Sequence, residues 1–230
     1  KNLNMSKVYL LSDPHFGHKN VILNLRHFRT VEEHDELIVA NWNKTVTKRD
    51  IVYLLGDVTM ENKNYEILSR LNGTIYVVGG NHDLVKHSAE LMKYVAGIGG
   101  TVDYKGFQLT HVPIHPREFY SSIITTKRII RANIHGHVHS EYMRDNFGRP
   151  DYNYINVSAD VINYTPIPFE IIEKYHVFIK TRDTLRNEDR ERLCYCGHTN
   201  YCTCGNPTLQ MFRENYERKV ICNDYCTAHS

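Results

Sequence analysis

Val8-Tyr9-Leu10-Leu11-Ser12-Asp13-Pro14-His15 is a short, unbroken apolar run that stops on a polar turn. A run of this length without helical spacing predicts a buried strand over Val8–Leu11. The same pattern recurs twice. Ile51 to Leu55 closes on Gly56-Asp57, and Ile75 to Val78 closes on Gly79-Gly80-Asn81-His82-Asp83. Each run places acids, histidines or an amide just past the strand's C-terminal end. That edge is where layered α/β folds build their sites.

Working outward, Thr30 and Glu33 have capping-box spacing, and Leu37, Ile38 and Trp42 follow on one helical face. A helix is predicted there, with Trp42 in the core. A second helix is predicted over Lys63 to Leu71, with Tyr65, Leu68 and Leu71 facing inward and Gly73 suited to end it. The first half therefore reads β-α-β-α-β. The second half is richer in strands. Phe107 to Thr110 leads into His111, and Ile129 to Ile134 leads into His135-Gly136-His137-Val138-His139. Tyr154 to Val157 and Val177 to Ile179 are further strand candidates. Thr181 to Arg192 is dense in charge and reads as a linker or a solvated helix.

The 230 residues suffice for one substantial core and a small appendix. Apolar content of 41% and charged content of 23% fit an ordinary soluble globular chain. A net charge of +2 gives no pull toward nucleic acid or a membrane surface. No stretch is apolar and long enough to cross a bilayer, and the N-terminus lacks the apolar core and cleavage site of a signal peptide. Met5 reads as a natural start behind four added residues. All six cysteines lie between Cys194 and Cys226. That split marks a domain boundary and, with no secretory signal, points to a cytoplasmic chain whose thiols bind metal rather than pair as disulfides.

Fourteen histidines are the unusual entry in the composition. Two neighbouring divalent ions need several carboxylate, imidazole or amide ligands each, and one anionic group between them. Asp13, His15, Asp57, Asn81, His111, His137 and His139 offer such a set, each at or after a strand end. Asp13/His15 and His137/His139 are two residues apart. They converge as pairs either along an extended strand or around a tight turn. Gly56, Gly80 and Gly136 each adjoin a candidate ligand, where close backbone approach is needed.

Asp13-Pro14-His15, Gly56-Asp57, Gly80-Asn81-His82-Asp83, His111 and Gly136-His137-Val138-His139 resemble the five signature blocks of the calcineurin-like metallophosphoesterase superfamily, in the family's order. The resemblance spans roughly residues 7–157. It implies an α/β fold: a four-layer α-β-β-α sandwich with two mixed β-sheets. It also implies that Asp13, His15 and His139 hold one metal, that Asn81, His111 and His137 hold the other, and that Asp57 bridges them. His82 resembles the family's catalytic histidine, which is not a ligand. In the protein phosphatases of this superfamily a second acid follows three residues after the bridging one. Here Asp57 is followed by Val58, Thr59 and Met60. Asp13-Pro14-His15-Phe16-Gly17-His18 and Glu32-Glu33-His34-Asp35-Glu36 look more like small bacterial and phage members.

The resemblance implies a metal-dependent phosphoric ester hydrolase, using manganese, iron or zinc. A metal-bridging hydroxide would attack a mono- or diester in line, with His82 assisting at the phosphoryl or leaving oxygen. The expected substrate is a small phosphorylated molecule such as a nucleotide. His18, His115 and Arg117 flank the proposed site as candidate substrate contacts. His135 reads as structural, Arg26 and Arg29 as solvated loop, and His27, His34, His87, His176 and His229 carry no assigned role. Residues 5–181 are expected to form the catalytic domain, 182–193 a charged linker or helix, and 194–230 a zinc-binding tail. The tail's ligand candidates are Cys194, Cys196, His198, Cys202, Cys204, Cys222 and Cys226. A nuclease or RNA phosphatase gripping nucleic acid through this tail, and a metal-bound scaffold without catalysis, are the alternatives.

Overall fold

The computed structural model describes residues 6–60, 62–83, 85–120, 129–184 and 208–218. The six cysteines and His198 lie outside these, so the zinc-tail expectation does too. Among the described residues no helix is long and apolar enough to cross a membrane. The chain divides into two compact units, Lys1–Phe169 and Glu170–Ser230.

The first unit contains two mixed sheets. Strands β1 (Val8–Leu11), β2 (Ile51–Leu54), β3 (Thr74–Val78) and β4 (Gly97–Gly99) belong to one, ordered β4-β3-β2-β1, with β9 (Ile167–Pro168) beyond β1. β1 to β4 run parallel, and β9 is antiparallel to β1. The second sheet has the order β5 (Val102–Tyr104), β6 (Phe107–Leu109), β7 (Ala132–His135), β8 (Tyr154–Asn156). β5–β6 is antiparallel, whereas β6–β7 and β7–β8 are parallel. Leu10, Leu11, Val52, Leu54, Val78, Leu109 and Ile134 are buried. Inner strands of a parallel sheet read as apolar runs, which is why the runs at Val8, Ile51 and Ile75 are recognisable, although Tyr76 on one face of β3 is exposed.

Helix α1 (Val31–Thr45) starts where the capping residue predicts. Thr30 Oγ1 accepts from Glu33 N at 3.0 Å. The Glu33 carboxylate accepts from Arg29 N at 3.1 Å, one residue before the cap. The buried face is His34, Ile38, Val39 and Trp42. Leu37, expected inward, is 36% exposed, because a stripe spaced three and four apart through Ile38 leaves position 37 at its edge. Trp42 Nε1 donates to Asn72 O at 2.8 Å.

The helix expected over Lys63–Leu71 is a 3₁₀ helix, Asn62–Arg70. Tyr65, Leu68 and Leu71 are buried, and their spacing of three is the 3₁₀ repeat rather than the α repeat. Val177–Ile179 is not a strand. It lies inside α3 (Phe169–Thr184), which follows the short α2 (Ser88–Leu91). Ile171, Ile172, Tyr175 and Ile179 repeat at helical intervals that a three-residue apolar window cannot reveal. The segment read as linker or helix from Thr181 thus begins as the last turn of α3. In the second unit α3 meets α4 (Leu209–Arg218) through Tyr175 and Phe178, each with its ring centroid 5.6 Å from that of Phe212.

Candidate metal centre

The strands that carry candidate ligands end at one point, where the two sheets are stitched together. Ser12 N donates to Val157 O at 2.9 Å, and Ala159 N donates to Ser12 O at 2.8 Å. β1 therefore delivers Asp13 and His15 beside the end of β8. β2 delivers Asp57, β3 Asn81, β6 His111, and β7 His137 and His139.

The pairs converge around turns, not along extended strands. φ is 55° at Asp13, 50° at His15, 50° at Asp57, 71° at His137 and 49° at His139. Left-handed backbone is costly for residues with a Cβ, on the order of 1–3 kcal/mol each, and clusters at functional sites. Aspartate and histidine are among the residues that enter it most readily. The turns are clamped by their surroundings. Asp13 N donates to Gly56 O at 3.1 Å, and His15 N to Asp57 O at 3.0 Å. His137 N and Ser158 Oγ donate to Asp13 Oδ2 at 2.9 and 3.1 Å. Asp83 accepts from Asp57 N at 2.7 Å, Val58 N at 3.0 Å and Gly80 N at 2.9 Å.

Two groups of side chains result. The ligand atoms of Asp13, His15 and His139 lie within 4.8 Å of one another, as do those of Asp57, His111 and His137. Asp57 Oδ2 is 3.7 Å from His15 Nε2 and 3.4 Å from His111 Nε2, so this carboxylate stands between the groups. Asn81 Oδ1 is 2.9 Å from both His111 Nε2 and His137 Nδ1. All seven candidate ligands are thus brought together.

The electrostatics fit a cation. His15 is driven down to about 2 by burial, which outweighs the pull of Asp57, so its imidazole is neutral. His15 Nε2 and Asp13 Oδ1 are buried without a hydrogen-bond partner. Buried orphan atoms of this kind are rare and need an explanation. A metal ion bound there would accept a lone pair from each. Burial would raise the Asp57 carboxyl, but His111, the His82 amide and His15 outweigh it and hold it at about 2. Burial would lower His111, yet Asp57 and Asp13 raise it. Carboxylate, imidazole and amide oxygen together suit a divalent metal ion.

His82 stands at the rim. Its side chain is 32% exposed with Nε2 3.9 Å from Asp57 Oδ2, and its backbone N donates to Asp57 Oδ1 at 2.9 Å. His18 joins the cluster, its Nδ1 3.1 Å from His15 Nδ1 and its ring 5.6 Å from that of His82. His115 and Arg117 are exposed, and Arg117 N donates to His115 Nδ1 at 3.2 Å within their own turn. His135 is buried, with Nδ1 on Gly136 O at 2.9 Å, and burial lowers it to about 4.

Two residues behind the centre escaped the sequence reading. Arg26 is not solvated: its side chain is 1% exposed, and Nη2 donates to Asp13 O at 2.7 Å. Asp160 lies 3.3 Å from His139 Nδ1. Asp160 follows the end of β8, and the rule that flagged the first three strand ends, applied there, marks it. Arg26 has no comparable signal, since nothing local shows that its loop folds inward.

No family model matches the chain. The uncharacterized protein MJ1445 of Methanocaldococcus jannaschii is 36% identical over 178 residues, 75% of this chain and 92% of that protein. The Gene 66 protein of Mycobacterium phage L5 is 34% identical over 85 residues, 34% of this chain and 41% of that protein. Among solved structures, the protein of unknown function AQ665 from Aquifex aeolicus superposes with a TM-score of 0.56 at 28% identity, covering 74% of this chain and 98% of that one. Identity at this level across nearly the whole archaeal sequence means that the chain belongs to the family of the M. jannaschii protein MJ1445.

Proposed function

We propose that this chain is a dinuclear-metal phosphoesterase of the calcineurin-like superfamily, acting on a small phosphorylated molecule such as a nucleotide, with the four-layer sandwich as its scaffold. The observation that carries this reading is the pair of adjacent triads with the Asp57 carboxylate standing between them, and two buried ligand atoms left without a hydrogen-bond partner. Asp13, His15 and His139 hold one ion, Asn81, His111 and His137 the other, and Asp57 lies between them. Ions bound there supply Lewis acidity, which makes water acidic enough to attack near neutral pH and neutralises charge on phosphoryl oxygens.

The chain's own groups do the rest. Asp57 is fixed by the turn it sits in and by Asp83 beneath it, so the two halves keep their separation. His82 is exposed beside that carboxylate and is placed to donate a hydrogen bond to a phosphoryl oxygen or a proton to the leaving oxygen. His18, His115 and Arg117 remain candidate contacts to the substrate, with His18 the one whose ring adjoins His82.

A panel of p-nitrophenyl phosphate, its diester, cyclic nucleotides and short oligonucleotides, each with added manganese, tests the activity. Turnover of at least one is expected. His82→Ala should retain the metals and lower turnover by about 10²–10⁴-fold. Absence of turnover on every member with metals bound defeats the enzyme reading in favour of a metal-bound scaffold.

A further inference from the structure

Behind the Asp13–His15–His139 half of the centre lies a buried arginine side chain that is not a candidate ligand. Arg26 follows a π-helical turn, Val21–Leu25, and its guanidinium reaches four partners. Nη2 donates to Asp13 O at 2.7 Å and lies 3.6 Å from Asp160 Oδ1. Nη1 donates to Pro14 O at 3.2 Å and lies 2.9 Å from His34 Nε2. His34 Nδ1 is 2.7 Å from Asp35 Oδ1, so its proton belongs on Nδ1 and Nε2 is free to accept from Arg26. Asp35 in turn accepts from Gly17 N at 3.0 Å. The face of Tyr164 closes the cluster, 5.5 Å from the guanidinium carbon.

Two of these contacts bear on ligands. The carbonyls of Asp13 and Pro14 belong to the left-handed turn that aims Asp13 and His15 inward. Asp160 Oδ2 lies 3.3 Å from His139 Nδ1, which leaves Nε2 of that ring as the atom for an ion. A carboxylate on the far nitrogen fixes ring orientation and tautomer and strengthens the imidazole as a ligand. Arg26 touches both structures at once. Its planar fork suits that task, whereas a point charge on a flexible stem does not. Among the described residues, Arg26, His34, Asp35, Asp160 and Tyr164 make no hydrogen bond or ion pair to Asp57, His111 or His137; the only links to those residues run through the Asp13–His15 turn itself.

We propose that Arg26 and Asp160 are positioning residues for the Asp13–His15–His139 half alone: Arg26 sets the ligand-bearing turn and holds Asp160 on His139. The inference rests on the dinuclear reading above. A purely structural arginine would weaken both halves together through a general loss of stability, whereas a positioning pair weakens one.

The test uses the full chain, stripped with chelator and titrated with manganese(II), the free ion being read by electron paramagnetic resonance. His137→Ala leaves the Asp13–His15–His139 half to be measured by itself, and His139→Ala leaves the other. Arg26→Met should lower manganese affinity about 10–100-fold in the His137→Ala chain and leave it unchanged in the His139→Ala chain. Arg26→Lys should recover part of the loss. Asp160→Asn should repeat the selective pattern, and it decides the matter if circular dichroism shows Arg26→Met to be unfolded. Equal weakening in both backgrounds, or none in the His137→Ala chain, overturns the proposal. A parent chain that binds no manganese sinks the dinuclear reading and this inference with it, a result distinct from two-ion binding indifferent to Arg26.

Discussion

Replacing Gly136 with alanine should damage the centre without touching a ligand. Gly136 has no positive φ, so backbone strain plays no part. The added methyl would fall on Ser12 Oγ and Asp13 Oδ2, with Ser12 Cβ 2.5 Å away. Neither neighbour has room to give. Ser12 is fully buried and its Oγ donates to Leu55 O at 2.5 Å. Asp13 is fully buried and accepts from His137 N and Ser158 Oγ. Overpacking of a tight site costs about 1–3 kcal/mol, and a lost hydrogen bond to a charged group about 1.5–3 kcal/mol. The sum, roughly 2.5–6 kcal/mol, corresponds at about 2–4 °C per kcal/mol in a chain of this size to a fall in Tm of about 5–24 °C. The metal-free protein should show that fall in a thermal melt, and added manganese should restore less than in the parent, because the displaced Asp13 carboxylate weakens the ion that stabilises the native state. Gly100→Ala is the control, since nothing lies within 4 Å of its added methyl. If Gly136→Ala melts with the parent and keeps its manganese gain, the packing of the second sheet's turn onto Asp13 is not what places that ligand.

Asp57→Asn should lose both metal occupancy, read by elemental analysis, and turnover, because it removes the negative charge between the two halves. Asp50 gives a pH prediction. Burial would raise its carboxyl, but hydrogen bonds from Lys7 N, Thr47 N and Thr47 Oγ1 outweigh this and leave it lowered. A depressed carboxylate stabilises the fold fully above its unfolded pKa and ceases to as pH falls through the folded value. The stability gap between parent and Asp50→Asn, about 1–3 kcal/mol at pH 7, should therefore shrink below about pH 4 in denaturant titrations. Replacing Cys194, Cys196, Cys202 and Cys204 with serine should remove zinc beyond that of the centre while simple phosphoester turnover survives. Six readily alkylated thiols in metal-replete protein would rule the zinc module out.

What could be read from sequence follows from which forces are local. Runs such as Val8–Leu11 and Ile51–Leu54 declare themselves because neither face of these strands is left fully exposed and no polar position interrupts them, so the residues after them stand out by contrast. Thr30 announces α1 because an N-cap bond spans three residues. The 3₁₀ character of Asn62–Arg70 and the helix over Val177–Ile179 were not legible, since short apolar spacings fit several periods and tertiary packing chooses among them. The same holds in the site. Ligand types and order are visible at strand ends, but whether Asp13 and His15 meet along a strand or around a turn depends on Gly56 O and Asp57 O, more than forty residues away. Arg26 is hidden for the same reason, because its partners Asp13, His34 and Asp160 come from three separate segments.

These observations share one physical cause. A centre that brings seven ligands within a few ångströms must crowd lone pairs and negative charge together in a buried place, and without an ion that crowding opposes folding. The chain answers with contacts that do not depend on an ion. Asp83 ties the backbone of Asp57 and Gly80, Asp13 Oδ2 ties His137 N, and Arg26 ties Asp13 to Asp160. Asp13 Oδ1 and His15 Nε2 on the ligand faces stay without a hydrogen-bond partner, as do Arg26 Nε and Asp160 Oδ1 in the clamp behind them. The left-handed turns are therefore held before any ion arrives, so binding an ion relieves an existing deficit instead of having to order the loops. Pre-ordered ligands spare an ion the entropy of organising its site. A centre built this way should bind metal with little change in backbone protection from hydrogen exchange at Asp13–Phe16, Gly56–Val58 and Gly136–His139. A large rise in protection there on adding manganese would mean that the turns form only around the ion.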